Sequence, residues 1–328
     1  MKPALRLALM AAAMLAAVVL GVRVGAVPLS TREVVDAVRG VGDPTTVSIV
    51  QKLRLPRAVL AALVGGSLAA SGAAFQALLR NPLAEPFILG VSGGAAVGAA
   101  TAIVLTGALA SSGIVSGAAL LGALGAILFV MRVGTSVGRT LDTRVLLLAG
   151  VVAGAFFNAC IMLILTFARG ETFRAAVFWM MGSFSGATWR SIGGLALAAV
   201  PALLVLFALA RSLNLLAVGE ETAAYLGVRT ERVKLVAYGT ASLLTAASVA
   251  ASGVIGFVGL VVPHVARMLW GADHRFLLPA SVLLGATFVV LADAVARTVA
   301  APTELPIGVV TAFVGVPFFL WLLRRRGA

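Results

Sequence analysis

Lysine and arginine crowd one short stretch, Lys52-Leu53-Arg54-Leu55-Pro56-Arg57, directly ahead of a wholly apolar run. A guanidinium fork holds a carboxylate through two parallel hydrogen bonds, so these cations suit gripping acidic groups or lipid phosphates. Arg54 and Arg57 are three apart and project to neighbouring positions on one helical face. Arg297 closes a later apolar run, one turn after Asp293. Other reactive types are sparse. His264 and His274 are the only histidines and Cys160 is the only cysteine. No H-E-x-x-H and no Cys/His set with metal spacing occurs. A G-x-x-x-x-G-K-[ST] loop is absent, so the chain does not bind ATP through one. No Ser/His/Asp set is evident. The chemistry on offer is recognition by charge rather than bond making, and no catalytic residue, metal or cofactor is expected.

The elements that must position these residues are membrane helices. The chain has 328 residues, 61% hydrophobic and 11% charged, with a mean hydropathy of +1.10. A soluble domain is roughly 45–50% apolar and about 25% charged. Apolar stretches long enough to span a bilayer recur throughout, and strand-period alternation is absent, which removes a β-barrel. The expected fold is all-α and polytopic, one transmembrane domain over residues 1–328. Ten spans are expected near 5–27, 57–79, 87–107, 114–131, 145–168, 190–210, 233–250, 254–270, 276–296 and 306–323. A short amphipathic piece lies near 171–184. The first span resembles a signal peptide with a small-residue site at Val24-Gly25-Ala26, but its core is long enough to cross, and it is read as a retained helix. The net charge of +13 is spread between apolar spans without an aromatic-laced basic stripe. That pattern points to lipid and protein contacts and away from nucleic acid.

With the N-terminus inside, fifteen of the 25 lysines and arginines fall on inner segments, the direction of the positive-inside rule. Arg324, Arg325 and Arg326 read as an inner anchor. The outer excess sits at Arg32, Arg39, Lys52, Arg54, Arg57, Arg169, Arg174, Arg190 and Arg297. Headgroup anchoring is one reading of these charges and capture of an acidic partner the other. Glu85, Asp293 and Glu304 lie at span edges, whereas an ion-coupled carrier usually keeps ionisable groups in the membrane interior. That weighs against a secondary transporter, which stays as the alternative.

Two inner connections stand out. "RSLNLLAVGEETAAYLGVRTERVK", Arg211 to Lys234, alternates apolar residues with a polar face, and Gly219 and Gly227 allow breaks between two short helices. It reads either as an interfacial helix or as a docking element for a soluble partner. "RNPLAEPFILGVSGGAAVG", Arg80 to Gly98, is a tight turn stiffened by Pro82 and Pro86 and followed by small residues.

These stretches, with "GFVGLVVPHVARML", "DHRFLLPASVLLGA" and "LADAVARTVAAPTELPIGVVTAFVGVPFFLWLL", resemble the permease subunits of ATP-binding-cassette importers for ferric siderophores, haem and vitamin B12 (FecCD-like). The resemblance runs from about residue 50 to the C-terminus. It implies ten helices per subunit, with helices two to five and seven to ten related by an inverted repeat. It implies a second permease copy, cytoplasmic ATPase subunits, an extracytoplasmic binding protein and a path between the two permeases. It also implies residence in a bacterial or archaeal cytoplasmic membrane, the inner one in a Gram-negative cell. Carried onto this chain, the coupling segment against the ATPase spans 211–234, with Asn214, Gly219, Glu220, Ala223, Leu226 and Gly227. Arg54, Arg57 and Arg297 match arginines that meet acidic residues of the binding protein, giving a ring of six in a dimer. The turn near Thr143 matches the region of the inner closure, with Asp142 and Arg144 standing where the B12 importers imply small polar residues. Leu83, at the apolar tip of the Pro82–Pro86 turn, is read from the turn itself as helping to close the path. Met180 and Met181 face the outer half as a vestibule or as core packing. His264 reads as structural, since its Pro-His pair accompanies the family whatever the cargo.

Overall fold

The computed structural model describes residues 2–25, 27–109, 111–136 and 142–326. Ala26 of the small-residue site, Arg139, and the side chains of Arg325 and Arg326 lie outside the described residues. In chain order the α-helices are α1 (Pro3–Arg23), α2 (Thr31–Val38), α3 (Pro44–Ser48), α4 (Leu55–Leu78), α5 (Val91–Thr106), α6 (Ser112–Ser136), α7 (Thr143–Thr166) and α8 (Gly170–Met180). There follow α9 (Trp189–Ala208), α10 (Ala210–Val218), α11 (Glu220–Tyr225), α12 (Thr230–Ser252), α13 (Val258–Trp270), α14 (His274–Thr298) and α15 (Ile307–Arg326). The described residues contain no strand. Among the described residues seven helices are long and apolar enough to cross a membrane, and three shorter apolar ones, α5, α13 and α15, complete the ten expected spans. The chain is a multi-pass membrane protein. The piece expected near 171–184 is α8.

The connection between α1 and α4 carries helical structure outside the ten expected spans. Ser30 and Glu33 form a reciprocal capping box on α2, satisfying two orphan amides at its start. Asp43 caps α3 through the Thr46 amide at 2.8 Å. A widened turn over Ile49–Arg54 then carries the chain into α4, with the Leu55 amide reaching back to Val50. Pro56 sits in the first turn of α4, where a missing N–H costs little.

α4 is the centre of the bundle, buried along most of its length and packed by α9, α12, α13 and α14. Glycine makes the approach possible. A methyl group added at Gly72 would overlap the Gly259 backbone, and one added at Gly65 would overlap Gly285. Gly94 and Gly122 face each other across α5 and α6 in the same way. Apolar burial gives helices no drive to associate in lipid, so close backbone contact between small residues supplies the packing. Polar side chains add ties: Ser71 on α4 donates to the Ala241 carbonyl at 2.8 Å, and Gln76 accepts from Arg267 at 2.9 Å. Outer-ring helices keep bare apolar faces, with Leu121 71% and Leu197 81% exposed.

Two short helices start inside the bundle rather than at its ends. Gly90, just before α5, lies against Ala153, ten residues into α7 and so about 15 Å from its inner end. Gly259, at the start of α13, lies against Leu68 of α4, also ten residues, or about 15 Å, from that helix's inner end at Leu78.

Candidate functional site

The outer arginines are drawn into one network. Arg57 on α4 grips Asp293 on α14 with its Nε and Nη2 (2.9–3.1 Å), while its Nη1 donates to both oxygens of Glu304 at 2.9–3.0 Å. Arg297 donates to the same Asp293 at 3.1 Å and to the carbonyls of Gly21 and Val24, 2.7 and 2.8 Å away. Arg54 donates to the carbonyls of Val22, Arg23 and Val27 at 2.6–3.2 Å. All of these carbonyls but that of Val27 end or cap α1, where a helix leaves acceptors unsatisfied. The three expected docking arginines are thus brought together, but their forks are turned onto their own chain. The Asp293 side chain is 3% exposed, Arg297 9% and Arg57 13%. Three guanidinium groups against two carboxylates leave one net positive charge at this corner. Lys52 and Arg39 are exposed nearby, and Gln51 ties their two segments by donating to the Ala37 carbonyl at 3.0 Å. Arg32 stands almost free, its contact to Asp36 being 3.8 Å long.

The segment 211–234, expected to couple, forms two short helices broken at Gly219, and Gly227 ends the second with φ +82°, the left-handed conformation glycine adopts without strain. Its residues divide sharply by direction. Asn214 points inward: its amide donates to Asp273 at 2.7 Å, and its oxygen accepts the His274 amide at 2.8 Å, which seats α10 on the start of α14. Bonds from the Arg275 and Asn214 side chains hold the Asp273 carboxyl well below the usual carboxylate range. Ala223 is fully buried. The surface belongs instead to Val218 (73% exposed), Tyr225 (91%) and Leu226 (62%), with Gly227 beside them.

Glu220 joins this segment to the bundle. Its carboxylate takes Lys234 of α12 at 2.9 Å and faces the Thr143 hydroxyl of α7 at 3.5 Å. Lys234 is 3% exposed and also pairs with Glu231 at 2.5 Å. Glu220, Gly219, Thr143, Asp142, Arg144 and Arg80 surround a polar hollow of about 550 Å³.

Met180 and Met181, at the end of α8, line an apolar hollow of about 600 Å³ with Val254, Val309, Ala312 and Phe313. The amides of Ile307 and Gly308 bond the Gly182 and Met181 carbonyls at 3.2 and 3.0 Å, pinning the start of α15 there. At the other end of α15, Leu83 packs with His264, Phe318, Phe319 and Leu322. One helix therefore carries the outer methionines at its start and Leu83 near its end. His264 is buried edge-on to Phe318, in keeping with a structural role. Among the described residues no group of three His, Cys, Asp or Glu is placed to hold a metal.

Sequence reasoning missed Glu304 and Lys234 as partners of these residues, and missed Asp293 as the partner of Arg57. The Asp293–Arg297 spacing, one helical turn, signalled a contact, whereas Arg57 meets Asp293 and Glu304 across 236 and 247 residues and Glu220 meets Lys234 across 14.

The FecCD transport family model matches residues 13–325. The cobalamin import system permease protein BtuC of Halobacterium salinarum is 46% identical over 286 residues, covering 87% of this chain and 76% of that protein. The ABC transporter permease protein YvrB of Bacillus subtilis is 44% identical, over 88% of this chain and 82% of the relative. Among solved structures, a metal-chelate type ABC transporter in an inward-facing conformation superposes with a TM-score of 0.88 at 32% identity, covering 99% of this chain and all of that one. The chain belongs to the FecCD transport family and is a permease of an ABC importer of that type.

Proposed function

We propose that this permease carries a bulky metal chelate, a ferric siderophore, haem or corrinoid, inward through a path formed with a second copy of itself. ATP is hydrolysed by separate ATPase subunits, and an extracytoplasmic binding protein delivers the cargo at a bacterial or archaeal cytoplasmic membrane. The whole chain acts as one transmembrane unit and makes no bonds itself. The observation that carries this reading is the inner segment 211–234. It presents Val218, Tyr225 and Leu226 outward while Glu220 fastens it to α7 and α12. A partner that moves the exposed apolar face therefore moves Thr143 at the inner closure. Leu83 closes the same end, Met180 and Met181 line the outer vestibule, and the bare face of α15, with Phe313 77% exposed, is where the second copy packs. Cobalamin in the relatives' names and metal chelate in the structural neighbour's description support the cargo class.

On the outer side, docking of an acidic binding protein falls first to the exposed Arg39 and Lys52. Arg54, Arg57 and Arg297 add their residual positive field behind them. Such charges act on association rate and weaken with salt.

The test uses the permease co-purified with its ATPase and binding protein in nanodiscs. Cobalamin, haem and a panel of ferric siderophores are each added, and ATP hydrolysis is measured. Stimulation by one chelate class, dependent on the binding protein, is expected. No stimulation by any of them, with an active ATPase, contradicts the cargo class.

A further inference from the structure

The turn between α4 and α5 is gripped by the start of α13. Glu85 Oε1 accepts the Phe257 amide at 2.7 Å, across 172 residues of chain. Phe257 holds φ +67°, a conformation that a bulky side chain rarely adopts and that surroundings must enforce. Its side chain fills the notch at Gly315 of α15, where any added methyl would overlap it. Beside it, a methyl at Gly259 would lie 2.7 Å from Pro86 Cδ. The first amides of a helix lack partners, and Glu85 supplies an acceptor to one at the start of α13. Leu83, two residues earlier, rests on α13 and α15.

We propose that Glu85 is a positioning residue of the inner closure. Through the Phe257 amide it clamps the 81–90 turn to α13 and α15, so that Leu83 moves with them as one body. The proposal rests on the reading of Leu83 as part of that closure. What matters is an acceptor at the Oε1 position, so Gln substitutes and Ala does not.

The experiment uses the full complex in nanodiscs. Cys160 is the sole cysteine, so Cys160→Ala gives a clean background for Leu83→Cys. Hydrogen exchange is followed in peptides covering 81–90 and 253–262, and thiol labelling at position 83 is timed with and without nucleotide. Glu85→Ala should speed exchange in both peptides together by about tenfold, the equivalent of one hydrogen bond, and should raise labelling at position 83. Glu85→Gln should match the parent. Should Glu85→Ala fail to assemble, Glu85→Asp withdraws the carboxylate by one methylene and should show the same joint rise at smaller size. Parental exchange in Glu85→Ala overturns the proposal, as does faster exchange with unchanged labelling. If the parent's labelling does not respond to nucleotide, the closing role of Leu83 fails, while the exchange data still read the clamp.

Discussion

Asp293 and Glu304 both hold Arg57, yet removing them has unequal consequences. Asp293 is almost wholly enclosed, whereas the Glu304 side chain is 45% exposed. Loss of the enclosed carboxylate leaves Arg57 and Arg297 facing each other without their shared counter-ion, which costs about 3–5 kcal/mol. Loss of Glu304 removes a solvent-screened pair worth about 0–1 kcal/mol. Asp293→Ala should therefore lower the melting temperature of the purified complex sharply, while Glu304→Ala should barely move it; similar shifts in both contradict the network. The geometry also changes how outer docking is tested. Reversing Arg54, Arg57 and Arg297 to Glu breaks the fold corner before it touches the partner, so the informative reversal is Arg39→Glu with Lys52→Glu. The type of these residues was legible in the sequence, because arginine on the outer side breaks the positive-inside pattern. Their partners were not, since Arg57 meets residues 236 and 247 positions away and no local pattern encodes that distance.

At the scale of the element, the 211–234 segment proposed to couple separates buried from exposed positions. Tyr225→Asp alters a side chain 91% exposed, so it should leave thermal stability within about 0.5 kcal/mol yet abolish co-purification of the ATPase. Retained ATPase at wild-type yield would remove α11 from the interface. Ala223→Trp should instead unfold the segment, because Ala223 has no free surface. A third prediction concerns the α4–α13 crossing. Gly72→Ala forces the helices apart at Gly259 and should cost about 1–3 kcal/mol by overpacking, read as a lower melting temperature. An unchanged value would mean that the crossing is looser than described. The two short helices of the segment were legible because Gly219 and Gly227 break a strong apolar pattern. α2 was legible in principle through Ser30 and Glu33, the spacing of a capping box, but its eight residues carry too few apolar positions to set a helical period. That α5 and α13 start inside the bundle was not legible, since an apolar run reports length and not depth.

For the whole molecule, ten apolar runs and the side bias of arginine were enough to place the spans within a few residues, because crossing a bilayer is a local demand on each run. How the spans surround α4 depends on glycine contacts between distant helices, and no single run carries that information. The account rests on one claim, that this permease is driven by ATP through 211–234 and not by an ion gradient. Among the described residues Asp293 is the most buried acid and is committed to Arg57 and Arg297, while the part-buried Glu85 is committed to the Phe257 amide, poor arrangements for a group that must bind and release a coupling ion. The direct measurement is uptake of the stimulating chelate into proteoliposomes holding the permease, its ATPase and its binding protein, with ATP supplied on the ATPase side and a proton and sodium ionophore mixture added. Uptake should require ATP, persist with the ionophores, and vanish in Tyr225→Asp. Uptake that continues without ATP and collapses with the ionophores would contradict the account.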